Sequence, residues 1–73
     1  MVKLRTLSGK QLCAILERHG YFEVHQRGSN IVMQKRLADS THTIPVPNHA
    51  ELRVGILEAI IRQSGVLRSE FES

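Results

Sequence analysis

The chain has no tryptophan, one cysteine, two prolines and only three aromatic residues among its 73. Each shortage excludes something. A lone Cys13 rules out an intramolecular disulfide framework and a cysteine-based zinc site, and it suits a reducing cytosol. With Tyr21, Phe22 and Phe71 as the whole aromatic content, the core must be aliphatic. The longest apolar stretch, Leu12 to Leu16, is far short of the roughly 20 residues a membrane-spanning helix needs. Met1-Val-Lys-Leu-Arg is followed by no apolar run, so no secretory leader is expected and the predicted location is the cytoplasm. No glycine-rich loop ends in Lys-Ser/Thr, which excludes a nucleotide-hydrolysing P-loop. No repeat, linker or low-complexity tract divides the chain, so residues 1–73 are expected to form a single domain. A domain this small buries only about 60% of its unfolded surface.

What is present is an uneven charge. Ten Lys and Arg against seven Asp and Glu give a net charge of +3 and a pI near 9.6. Residues 1–36 carry Lys3, Arg5, Lys10, Arg18, Arg27, Lys35 and Arg36 against Glu17 and Glu23, for +5. Residues 37–73 carry Arg53, Arg62 and Arg68 against Asp39, Glu51, Glu58, Glu70 and Glu72, for −2. One-sided positive charge suits a phosphate backbone; the plain alternative is chance clustering on a solvated surface.

Periodicity orders the elements. Ser8 with Gln11 three residues on makes a capping box, Leu7 and Leu12 fall at the positions of a hydrophobic staple, and Gly20 stands as a C-terminal stop. A helix is predicted over about 9–19, with Leu12, Ile15 and Leu16 inward. Residues 21–26 alternate: Phe22 and Val24 are expected to face the core, with Tyr21, Glu23 and His25 facing away. Arg27-Gly28-Ser29-Asn30 reads as a turn and Ile31 to Lys35 as a second strand. Thr41 opens a third strand in which Pro45 and Pro47 lack the N–H of a central ladder, so it is an edge or ends early. A second helix is predicted over about 54–64, burying Ile56, Leu57, Ile60 and Ile61 before Gly65. Ser69 is expected to cap a short terminal turn anchored by Phe71. The order α-β-β-β-α predicts an α+β fold: a three-stranded antiparallel sheet with two helices on one face.

The chemistry-bearing residues are few. His42 and His49 stand seven apart across a proline-bordered loop with no acid or thiol in a ligand pattern, so no metal is expected. Cys13 inside a helix reads as a buried structural thiol. His19 reads as a helix-end residue and His25 as a solvent-facing strand residue, which could assist a site at the turn from across the hairpin although nothing in the spacing requires it. In the turn, Gly28 exposes backbone N–H groups, Arg27 offers a guanidinium fork and Ser29 a hydroxyl. That is a phosphate cradle or, more plainly, a well-formed hairpin.

These pieces, in this order, resemble the HicA-type mRNA interferase toxins, which pair with HicB-type antitoxins and have a double-stranded-RNA-binding-domain-like fold. The resemblance runs from Leu7 to Phe71. It rests on the capped helix opening Ser8-Gly9-Lys10, on Gly20-Tyr21-Phe22 and on Arg27-Gly28-Ser29. Further on it rests on Ile44-Pro45-Val46-Pro47-Asn48-His49 with Glu51-Leu52, and on Ile60-Ile61-Arg62-Gln63-Ser64-Gly65. It implies a metal-independent endoribonuclease without cofactor, acting on mRNA and covered by a HicB-type antitoxin. The family's turn reads Gly-Ser-His, and that histidine is its catalytic residue; this chain has Asn30 there. A carboxamide hydrogen-bonds a phosphate but has no proton to exchange at neutral pH. The implied site is therefore Asn30 at the catalytic position, with Arg27, Gly28 and Ser29 at the phosphate. From their charge, Lys3, Arg5, Lys10, Lys35 and Arg36 are expected to attract RNA independently of its sequence if they share a face, and His49 is a candidate for a second substrate-contacting group. An otherwise intact motif fits a deliberate single substitution, and also a member inactive by nature. A non-catalytic RNA-binding module and a domain that only docks an antitoxin are the rival readings.

Overall fold

The structure, a computed structural model, describes Leu4 and residues 6–72. The elements follow the order α-β-β-β-α with a terminal turn. They are α1 (Gly9–Glu17), β1 (Phe22–Arg27), β2 (Asn30–Arg36), β3 (Thr41–Pro47), α2 (Val54–Ser64) and a 3-10 helix at Arg68–Phe71. The capping box forms in full. Ser8 Oγ accepts from the Gln11 amide (3.1 Å), and Gln11 Oε1 accepts from the Ser8 amide (2.9 Å), so two otherwise orphaned donors at the helix start are satisfied. Gly20 (φ 95°) and Gly65 (φ 71°) let the chain leave the two helices through the left-handed region.

The sheet is antiparallel in the order β1-β2-β3, so β3 is an edge. It runs through both prolines rather than ending before them. Pro45 and Pro47 are two residues apart, so both missing N–H groups fall on one side of the strand, and an edge strand has one unpaired side. Both helices lie on the same face of the sheet. They close a core with Leu12, Ile15 and Leu16 from α1, Leu57, Ile60 and Ile61 from α2, and Ile31, Met33, Ile44 and Val46 from β2 and β3. Leu7, Leu52, Val66 and Phe71 fill its margins. The described part of the first segment meets the last through an antiparallel bridge between Leu4 and Glu72.

Three expectations are overturned. Phe22 and Val24 are 41% and 37% exposed, whereas Tyr21 is buried. The reason is local: the β1–β2 register shifts between Glu23 and His25, making Val24 a surplus residue and breaking the two-residue alternation. Tyr21 precedes the strand and turns inward, where its hydroxyl donates to the Ser64 carbonyl (3.1 Å). Ile56 is only half-buried, at the edge of the core. Ser69 caps nothing: the terminal turn starts one residue earlier, and its flanking residue Leu67 makes no capping bond. Phe71 is the expected anchor, fully buried.

Candidate nucleic-acid interface

The β1–β2 hairpin closes on the pair Arg27–Asn30, leaving Gly28 and Ser29 as a two-residue turn. Gly28 has φ 60°, and no non-glycine residue of the described chain has positive φ, which is the type II′ pattern that requires glycine first. The turn matches the right-handed twist of its strands and places Arg27 and Asn30 side by side on the face away from the helices.

That open face holds a concavity of about 240 Å³ lined by His25, Arg27, Asn30, Val32, Gln34, Thr43 and Pro45. The register accounts for the grouping. Arg27 opposes Asn30, His25 opposes Val32, Val32 opposes Pro45 and Gln34 opposes Thr43. Val32 is only 7% exposed although it lies outside the helix-side core, because the surrounding side chains shield it; it forms an apolar floor. Arg27 is the one lining residue with a permanent charge, and Asn30 is half-buried in the wall.

Main-chain hydrogen bonds bring two further segments to the turn. The Asn48 amide donates to the Ser29 carbonyl (2.8 Å), the Gly9 amide to the His49 carbonyl (2.9 Å), and the Leu52 amide to the Leu7 carbonyl (2.8 Å). A Cβ on Gly9 would run into the Pro47 carbonyl oxygen, so only glycine allows the start of α1 to seat against this loop. Lys10 and His49, both exposed, thereby stand at the turn's end of the molecule.

The remaining sequence-expected contacts are elsewhere. Lys35 and Arg36 end β2 five and six residues beyond Asn30, roughly 17–20 Å away at strand rise. Lys35 faces the helix side, with Nζ 5.7 Å from the Tyr21 ring centroid. Lys3 and Arg5 lie outside the described residues. Cys13 is buried, and burial with the nearby Glu23 and Glu17 carboxylates pushes its thiol up to about 11, which suits an inert thiol. His19 sits 3.1 Å from Glu70. His42 Nδ1 lies 3.1 Å from the Tyr21 hydroxyl, whose own proton goes to Ser64, so Nδ1 carries the donor hydrogen there. Burial also raises the Tyr21 phenol. No group of three or more His, Cys, Asp or Glu side chains that could hold a metal ion occurs among the described residues. No helix among them is long and apolar enough to cross a membrane.

Residue-by-residue reading missed Val32, Gln34, Thr43 and Pro45 as lining residues. His25, two residues from Arg27 and hence on its face of the strand, was already readable as a group across the hairpin from the turn, and it lines the concavity.

A search of curated proteins returned no match. A family model described as "HicA toxin of bacterial toxin-antitoxin" matches residues 9–66, from the first residue of α1 to just past Gly65. The match spans both helices, the sheet and the turn, and the chain belongs to this family of HicA toxins from bacterial toxin–antitoxin systems.

Proposed function

We propose that this chain, residues 1–73 as one unit, is the scaffold of a metal-independent mRNA endoribonuclease, silenced where Asn30 stands. RNA lies on the open sheet face in the cytoplasm, and a HicB-type antitoxin covers the same face. The observation that carries this reading is the concavity that joins Arg27 and Asn30 beside the Gly28-Ser29 turn. Arg27 supplies a forked cation for a phosphate, the turn supplies backbone N–H groups, and the Asn30 amide hydrogen-bonds the phosphate without moving a proton. Lys10 and His49 extend the contact along the strand of RNA. Lys35 and Arg36 lie too far along β2 to share that phosphate, so they act, if on RNA, one or more nucleotides away.

Cleavage by the RNA 2′-OH needs a proton taken and a proton given, which a neutral carboxamide does not do. Loss of a general acid–base typically lowers the rate by roughly 10²–10⁴. Asn30→His should therefore turn an inert protein into one that cuts RNA and arrests growth on induction, with arrest relieved by a co-expressed HicB-type antitoxin. The readouts are cleavage of a defined RNA, growth, and a thermal melt confirming that the variant is folded. A folded Asn30→His protein that neither cuts RNA nor slows growth would replace this reading with that of a non-catalytic RNA-binding module.

A further inference from the structure

His25 occupies its place through the hairpin register. The two-residue turn pairs Arg27 with Asn30, and counting back along β1 sets Gln26 against Ile31 and His25 against Val32. The register shift lies farther from the turn, between Glu23 and His25, so the imidazole stays on the open face, in line with Arg27 and in the wall of the concavity. The other three histidines stand apart: His19 at Glu70, His42 at Tyr21, and His49 outside the lining. Across the hairpin, His25 and residue 30 are diagonal neighbours, since Arg27 faces Asn30 and His25 faces Val32. Diagonal positions lie about 7–8 Å apart, within reach of aromatic side chains that share an object between them.

We infer that His25 is a second substrate-contacting residue of this site, its imidazole on the RNA phosphodiester held by Arg27, and the proton-transfer partner of a histidine placed at position 30. The inference rests on the reading of the open face as an RNA site. In the cleavage step the 2′ oxygen bonds to phosphorus as the bond from phosphorus to the 5′ oxygen breaks. One proton leaves the 2′-OH and another arrives at the 5′ oxygen, leaving 2′,3′-cyclic phosphate and 5′-hydroxyl ends with no co-reactant consumed. Two imidazoles flanking the phosphate, one neutral and one protonated, supply both transfers near neutral pH. With Asn30 in place, His25 still touches the phosphate but has no second proton-transfer group. Arg27 is the one other charged group facing the imidazole: Asn30, Val32 and Gln34 on β2 and Thr43 and Pro45 on β3 do not titrate.

The test has two arms. In the first, a 2′-deoxy oligonucleotide that cannot be cut is added to the unaltered chain, and histidine ring signals are followed by NMR. The His25 signals should shift and those of His19 and His42 should not; an unmoved His25 ring at saturating oligonucleotide overturns the contact. In the second, Asn30→His is compared with Asn30→His/His25→Gln. The double variant should lose roughly 10²-fold or more in kcat and the bell shape of its pH–rate profile, with oligonucleotide affinity within a few-fold. Equal rates and profiles overturn the proton-transfer role while leaving the ribonuclease reading intact. An inert Asn30→His overturns the ribonuclease reading and the transfer role together, and the first arm then decides the contact alone.

Discussion

The two faces of the sheet use alternate residues of the same strands for opposite purposes. On the helix-covered face, Ile31, Met33, Ile44 and Val46 are all 2% exposed or less. On the open face, Arg27, Asn30, Val32, Gln34, Thr43 and Pro45 shape a concavity, and Phe22 is left 41% exposed. The buried core is concentrated on one side and the candidate site on the other, a single residue step apart. Neighbouring substitutions should therefore separate sharply, one damaging the fold and the next only the site.

The largest contrast is expected between Met33 and Gln34. Met33→Ala leaves a cavity in the core and should destabilise by about 2–5 kcal/mol, a large share of the roughly 4–11 kcal/mol a chain this size has. Gln34→Ala should stay within about 0.5 kcal/mol. Denaturant unfolding of both checks it, and similar losses would break the two-face distinction. Next, Gly9→Ala forces a Cβ toward the Pro47 carbonyl and should destabilise by about 1–3 kcal/mol, read by thermal melting, despite alanine's better helix propensity. Third, Arg27→Ala should weaken oligonucleotide binding several-fold and reduce the log–log salt slope by about 0.7, one phosphate contact on a single strand. Lys35→Ala, stacked over Tyr21 on the helix side, should leave that slope unchanged; an equal drop would place RNA on both faces.

The smallest effect concerns the covered side in alkali. Because the Cys13 thiol is raised from 9.0 to about 11 in the folded chain, the unfolded chain loses its proton first as pH rises. Stability is fully retained below about pH 9 and declines up to about pH 11. Cys13→Ala should shallow this decline in pH-dependent melts. Tyr21, also raised by burial, supplies the remainder, which Tyr21→Phe should remove.

Element order, both helices and the edge position of β3 were legible because each rests on local chemistry: the Ser8 capping box, Gly20 and Gly65, and the two strand prolines. The faces of β1 were not. Alternation assigns Phe22 and Val24 inward, and nothing in Phe-Glu-Val-His announces a surplus residue, since a bulge is decided by pairing with β2. The burial of Tyr21 depends on Ser64 and His42, 43 and 21 residues away, which no local pattern carries. The turn at Arg27-Gly28-Ser29-Asn30 was readable from its glycine. The membership of Val32, Thr43 and Pro45 in the same concavity needed the register of three strands.

The three main-chain bonds around Pro47 to Leu52 carry a consequence for exchange with solvent. A segment such as Asn48-His49-Ala50-Glu51 is exposed along its length and would ordinarily trade its amide hydrogens for deuterium almost at once. Here the Asn48 amide is held by the hairpin turn and the Gly9 amide by the loop itself. Their protection is a property of the turn and the helix start rather than of the segment, because an amide opens only as often as the unit that holds it. Deuterium uptake at Asn48 thus serves as a clock on the Gly28-Ser29 turn, ticking faster only when that turn comes apart.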